Sequence, residues 1–298
     1  MPPVDEVVSP TSLRAWALPH PRGGKSSRGR LLVVGGARST PGAAMLAGLA
    51  ALRVGAGVLT LAVADSVAGA VAVAVPEGGV VGIPEDLHDC DGESRSRRLR
   101  LALERPLSSA KAVLVGPGLD DIDLAGDLVT AVISMVHGEV PIVLDAYALG
   151  ALASLPDAAR KALAGRLVIT PNPREVQVLL STTSDDDAES VGADELRAVA
   201  ERYGAVVSSS NLVVSPQGRV ADVPAGHPGL GTSGSGDVLA GAVTGLLARG
   251  AGLDQAACWA TYLHAAAGDR LAARVGALGF LARELLDELP LVLSELQA

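Results

Sequence analysis

Aromatic side chains are almost missing from this 298-residue chain, where they make up only 2%. Apolar residues nevertheless reach 49%, so a large core must be assembled from Ala, Val and Leu. Charge is also scarce, at 19%, and its balance is negative, with a net charge of −9. A nucleic-acid reader normally presents a basic surface, so this balance speaks against that class and leaves room only for a local phosphate pocket. The basic cluster from Arg95 to Arg100 reads as a solvated helix face. Cysteine occurs only as Cys90 and Cys258, which give no C-x-x-C pattern and no disulfide framework. That usage fits a reducing cytoplasm. No His/Cys/Asp grouping has zinc spacing, so no residue is assigned to a metal.

Long uninterrupted apolar runs are lacking too. The richest stretch, Val58 to Ile83, is broken by Asp65, Pro76, Glu77 and Gly78-Gly79. It therefore reads as a buried strand and helix, and no membrane span is expected. The first twenty residues carry Asp5, Glu6 and prolines but no apolar core of the kind a targeting segment needs.

What the chain does have is a series of short β-branched runs with helical stretches between them. Leu31–Val34, Val58–Ala64, Ala112–Val115, Ile142–Leu144, Leu167–Ile169 and Leu212–Val214 are near-continuously apolar, as in parallel strands covered on both faces. Residues 43–54, 124–136, 195–203 and 238–248 read as helices. Alternating elements of this kind predict a doubly wound, mostly parallel α/β sheet with helices on both faces, as one domain over residues 1–298. The acidic stretch Ser184–Glu189 reads as an exposed loop rather than a boundary.

Four strands run into turns of functional appearance: Gly35-Gly36, Gly116-Pro117-Gly118, Asp145, and Thr170-Pro171-Asn172. Ligands of open parallel sheets sit at the carboxyl ends of strands, so these turns are expected on one rim. Facing them should be the segment Pro228-Gly229-Leu230-Gly231-Thr232-Ser233-Gly234-Ser235-Gly236-Asp237. Its glycines and hydroxyls precede a helix that the sequence places from Asp237 onward. Free N–H groups and the positive end of the helix dipole make such a segment an anion hole of phosphate size. An aspartate there is unexpected for simple anion holding and fits a site that also handles a proton or a metal.

Two familiar phosphate motifs fail. Residues 229–234 spell G-x-G-x-x-G, but the helix is expected at Asp237 rather than at the third glycine. The acidic residue about twenty positions on, Asp254, falls in a helical region instead of ending a strand. A Walker loop needs Gly-Lys-Ser/Thr, and no lysine occurs here.

Taken in order, Gly35-Gly36, Pro41-Gly42-Ala43-Ala44, residues 51–57, Gly116-Pro117-Gly118-Leu119, Val143-Leu144-Asp145-Ala146, Thr170-Pro171-Asn172-Pro173 and the Asp237 loop resemble the NAD(P)H-hydrate dehydratase family of the ribokinase-like superfamily. The resemblance covers roughly residues 10 to 290. It implies a three-layer α/β/α fold and a repair enzyme that restores NADH or NADPH from the hydrated nicotinamide. ADP, or ATP, would be co-substrate, with Mg2+ bound through water and phosphate. Hydroxide leaves poorly, and phosphorylating the ring hydroxyl makes it a good leaving group.

On that resemblance Asp237 is the catalytic base or orienting group, and Ala43, Gly118 and Asn172 join it in lining the substrate pocket. The nucleotide would lie against Ser209, Ser210, Asn211, Leu212 and Val213 and against Gly231, Thr232, Ser233, Gly234, Ser235 and Gly236. A homotetramer is implied as well, and the first twenty residues either cross to a neighbouring subunit or stay disordered.

Asp145 reads equally as a helix cap and as a functional group. Lys25 and Arg28 read equally as phosphate ligands and as surface residues, and His264 reads as a satisfied core histidine.

Three departures from the family pattern stand out. Asn172 replaces a histidine, Val207-Ser208-Ser209-Ser210-Asn211 lacks the usual Lys-Gly, and Asp145-Ala146-Tyr147 replaces Asp-Ala-Asp. The missing cation alone is worth roughly ten- to a hundredfold in nucleotide affinity. The alternatives are a ribokinase-like small-molecule kinase using ATP and a nucleotide-binding protein without turnover.

Overall fold

Ten strands form one sheet in the order β1-β10-β9-β8-β7-β6-β5-β2-β3-β4, seen in a computed structural model that describes residues 5–20, 23–85, 90–181 and 191–298. The strands are β1 Glu6–Val7, β2 Arg30–Val34, β3 Val58–Ala64, β4 Gly78–Ile83, β5 Ala112–Val115, β6 Ile142–Leu144, β7 Leu167–Ile169, β8 Ala205–Ser209, β9 Leu212–Val214 and β10 Val220–Asp222. The helices are α1 Pro10–Ala15, α2 Pro41–Arg53, α3 Asp65–Ala74, α4 Gly92–Leu107, α5 Ile122–Met135, α6 Tyr147–Ser154, α7 Asp157–Leu163, α8 Pro173–Leu180, α9 Ala193–Tyr203, α10 Ser235–Ala248, α11 Leu253–Arg274 and α12 Ala282–Gln297.

All the apolar runs are strands, with one correction of direction. Leu212–Val214 is antiparallel to both neighbours, β8 and β10, because only Ser210-Asn211 separates it from β8 and a parallel return needs a long crossover. Val33 and Val63 pack with α2, α10, α11 and α12, while Leu32, Val34, Val113 and Val115 pack with α4, α5 and α9. Alternate residues of each strand therefore enter opposite cores, which explains why the runs are apolar throughout.

The chain travels outward from β2 to β3 and β4, then returns to place β5 on the other side of β2. α2, after β2, covers one face and α5, after β5, covers the other. The carboxyl ends of β2 and β5 thus mark the topological switch point, where open α/β sheets bind their ligands.

Two features brace this point. α10 lies in backbone contact with α2, since a Cβ on Gly241 would stand 2.0 Å from the Ala47 carbonyl oxygen. The N-terminal segment docks on its own chain: β1 pairs with β10, Leu13 is buried, and the Trp16 carbonyl accepts from Trp259 Nε1 and Gln255 Nε2, both at 3.0 Å. Arg97 and Arg100 of α4 are exposed as expected, whereas Arg95 is half-buried and pairs with Asp127. Ser184–Glu189 lies outside the described residues. Among those described, no helix is long and apolar enough to cross a membrane.

Candidate functional site

All four strand-end turns lie on one rim, because β2, β5, β6 and β7 are successive parallel neighbours. The Gly36 N–H donates to Pro117 O and the Ala37 N–H to Gly118 O, both at 2.7 Å. Thr40 Oγ1 donates to the same Gly118 carbonyl at 2.9 Å, so Gly118 and the loop leading to Ala43 form one wall. Lys25 and Arg28 precede β2 and are exposed at the opposite end of the sheet. Their reading as phosphate ligands is corrected by that position.

The glycine-rich segment arrives opposite this rim, and its helix starts earlier than expected. Gly234 is the N-cap, at φ 89, and α10 begins at Ser235, which places Asp237 in the first turn rather than at its start. Only glycine enters that left-handed conformation readily. The third glycine of the G-x-G-x-x-G pattern therefore does open a helix. The dinucleotide fingerprint still fails, because a 3-10 turn at Pro228–Leu230 precedes the segment and the helix α11 follows α10. Among the described residues the N–H groups of Thr232, Ser233, Gly234, Gly236 and Asp237 have no protein acceptor. Together with the helix dipole they are donors ready for an anion.

Three carboxylates share the rim. Asp145 ends β6, Glu175 lies in the first turn of α8 and Asp237 in that of α10. The buried Asp145 accepts from Thr170 Oγ1 at 2.8 Å. It does not cap α6, whose N-cap is Ala146 at φ 50 with no side-chain cap. Loss of hydration pushes Asp145 up to about 6, against the hydrogen bonds from Thr170 and the Ala146 backbone. Burial raises Glu175 to about 7, with repulsion from Asp145 adding to it. Asp237 also reaches about 7, first through burial and then through repulsion from Asp145 and Glu175. A carboxyl poised near neutrality beside a phosphate-sized hole is equipped to take a proton.

Glu175 was not singled out by sequence reasoning, although it is readable as a capping box. The Asn172 N–H donates to Glu175 Oε2 at 2.8 Å and the Glu175 N–H to Asn172 Oδ1 at 3.0 Å. The exposed Asn172 thus spends its oxygen on α8 and keeps its amide N–H2 for other partners.

Beside the carboxylates lies a cavity of about 800 Å3. Asn172, Ser210, Asn211, Gly231, Ser235 and Gly236 line it, together with Ser208, the loop Val223–Pro228 and His264. Ser209, Leu212, Val213, Thr232, Ser233, Gly234, Asp237, Ala43 and Gly118 are not among its lining residues. Among the described residues the buried Ser209 hydroxyl has no partner; it lies on the strand face opposite Ser208, which bonds Thr261 at 2.8 Å. No lysine or arginine lines this cavity among the described residues. His264 is hydrogen-bonded as expected of a satisfied histidine, its Nε2 lying 2.8 Å from Ser235 Oγ and 3.0 Å from Ser235 O, but it also borders the cavity.

The model of the NAD(P)H-hydrate dehydratase family matches residues 31–291. The chain belongs to this family. It is 41% identical to an ADP-dependent (S)-NAD(P)H-hydrate dehydratase of Xanthomonas campestris pv. campestris, over 97% of this chain and 96% of that protein. A ribokinase-like superfamily protein of Enterococcus faecalis superposes with a TM-score of 0.81 at 23% identity, over 98% of this chain and 97% of its own. An ADP/ATP-dependent NAD(P)H-hydrate dehydratase of Bacillus subtilis, co-crystallized with ATP/Mg2+, gives 0.77 at 23% identity, over 98% of both chains. The mostly parallel sheet with helices on both sides is thus the ribokinase-like fold expected of an NAD(P)H-hydrate dehydratase family member.

Proposed function

We propose that this protein is an ADP-dependent NAD(P)H-hydrate dehydratase. The supporting observation is the Asp237 carboxyl, whose ionisation burial, Asp145 and Glu175 move near neutrality, in the first turn of a helix where, among the described residues, the Gly234, Gly236 and Asp237 N–H groups have no protein acceptor. In the proposed reaction Asp237 takes the proton of the ring hydroxyl as that oxygen attacks the terminal phosphorus of ADP. The bond from that phosphorus to the bridging oxygen breaks and AMP leaves. The ring C–O bond then breaks, phosphate leaving with the bonding electrons, and the adjacent ring carbon releases a proton to phosphate or solvent, so that the C=C bond forms and the dihydronicotinamide is restored. Positioning and charge stabilisation carry such a transfer.

On this reading the Gly231–Gly236 segment holds the transferred phosphate through the N–H groups of Thr232, Ser233, Gly234 and Gly236, those of Gly231 and Ser235 being bonded to Pro228 O and Thr232 O. Ala43, Gly118 and Asn172 border the dinucleotide. Ser209, Ser210, Asn211, Leu212 and Val213 border the adenylate through their hairpin, of which Ser210 and Asn211 line the cavity.

Magnesium fits this residue set in one way only. Among the described residues no group of three or more acidic, His or Cys side chains forms a metal cage. The mutually repelling Asp145, Glu175 and Asp237 suit a cation carried on the phosphates through water. Such a cation would supply the positive charge that Lys and Arg do not supply among the described lining residues. Chelating magnesium is expected to abolish thermal stabilisation by ADP, and stabilisation that survives chelation would discard the metal.

The test of the reaction mixes the protein with NADH hydrate, magnesium and ADP or ATP and follows the return of NADH absorbance. Failure to recover NADH with either nucleotide removes the dehydratase reading. Release of ADP from ATP in the presence of another alcohol, with the phosphoryl group passed to that alcohol, would then favour a kinase, and stabilisation without turnover a binding protein. The homotetramer is part of the same proposal, and sedimentation showing a monomer would remove it.

A further inference from the structure

His264 and Ser235 come from different helices, α11 and α10, and meet at the cavity wall. A carbonyl oxygen can only accept, so the 3.0 Å contact with Ser235 O places the ring hydrogen on Nε2. Nε2 then has no lone pair to receive the Ser235 hydroxyl hydrogen, and its N–H is shared with Ser235 Oγ at 2.8 Å. Burial pushes this imidazole down to about 4, so the ring is neutral at physiological pH. Among the described residues Ser235 Oγ has no other partner, and the side chain borders the cavity. Its hydrogen is therefore available to a ligand acceptor, in a cavity whose described lining offers no lysine or arginine.

We infer that His264 is a positioning residue, whose Nε2–H fixes both oxygens of Ser235 so that the Ser235 hydroxyl donates to a phosphate oxygen of the bound nucleotide. The ligand class is a nucleoside diphosphate or triphosphate, and the inference deepens the reading above, resting on its placement of the nucleotide in this cavity. Ser235 becomes a side-chain complement to the free N–H groups. Without His264 the hydroxyl is free to rotate and to satisfy itself on its own helix.

The test measures ADP affinity calorimetrically, with magnesium, for the full chain and four variants. Ser235→Ala should weaken binding by roughly ten- to a hundredfold, as for a lost hydrogen bond to a charged group. His264→Leu should produce a loss of similar size, and His264→Gln, whose amide N–H reaches the same place, should recover most of it. The double variant Ser235→Ala/His264→Leu should bind no worse than Ser235→Ala, because both remove one interaction.

A His264→Leu affinity within about twofold of wild type, or losses that multiply in the double variant, overturns the inference. A residue that only packs the helices would lower the melting temperature without this coupling. If His264→Leu does not fold, His264→Asn replaces it, since its shorter amide cannot reach Ser235. Wild type that binds ADP but restores no NADH removes the dehydratase reading and leaves the affinity series to decide this one. Wild type that restores NADH with an uncoupled series removes only this one, and wild type that binds neither ADP nor ATP removes both.

Discussion

Replacing Asp237 by asparagine should make the ligand-free protein more stable while removing its activity. An aspartate that ionises near pH 7 instead of at the ordinary 3.8 holds its proton more tightly folded than unfolded. Stability is therefore lost as pH rises from about 4 to 7, and the penalty is complete above pH 7. At about 1.4 kcal/mol per pH step, the ceiling is roughly 4 kcal/mol. Two effects reduce it. The carboxylate is only partly buried, so water screens it, and it lies at the positive end of α10, which favours an anion by about 0.3–1 kcal/mol. The expected gain for Asp237→Asn at pH 8 is thus roughly 1–3 kcal/mol, or roughly 2–6 °C in Tm. Calorimetry of both proteins at pH 8, 6 and 4 measures it, alongside a fall in kcat of roughly 10²–10⁴-fold for loss of the base. A variant no more stable than wild type at pH 8, or a gain that persists undiminished at pH 4, refutes the reasoning.

Three further outcomes follow from other parts of the molecule. His264 stays neutral in the fold down to about 4 but protonates near 6.5 when unfolded, so it costs stability as pH falls through that window. The cost approaches about 3 kcal/mol, and urea unfolding of His264→Gln should show a shallower acid loss than wild type. Gly241→Val should yield misfolded or insoluble protein, because the new side chain meets the Ala47 carbonyl at the α2–α10 contact. Wild-type thermal stability in that variant would refute the contact. Asn172→Ala breaks the α8 capping box and should lower unfolding free energy by about 1 kcal/mol. An unchanged value would show that the cap contributes nothing.

Legibility in the sequence followed burial. Strands such as β2 and β5 sit between two cores, with Val33 and Leu114 in one and Val34 and Val113 in the other, so their runs stand out without any tertiary information. β4 is diluted by Gly78, Gly79 and Gly82, β8 ends in serines, and β1 and β10 are too short to show a period. The Asp237 loop was readable because glycines and hydroxyls share one local segment. Its neighbours were not, since Glu175 is 62 residues away (237 − 175) and reads as a helix cap. The His264–Ser235 pair exists only because α11 folds back along α10. The early start of α10 was missed because no side chain caps it and a left-handed glycine begins it.

The backbone contact at Gly241 has a mechanical consequence. α2 begins just after the Gly35–Thr40 loop, and α10 begins within the glycine-rich segment, at Ser235. Locked together at mid-length, they make the two lips of the site the ends of a single stiff bar. The lips cannot swing apart to admit a bulky dinucleotide. Any opening at this rim is thereby left to the loops hung from that bar rather than to a hinge between the two helices.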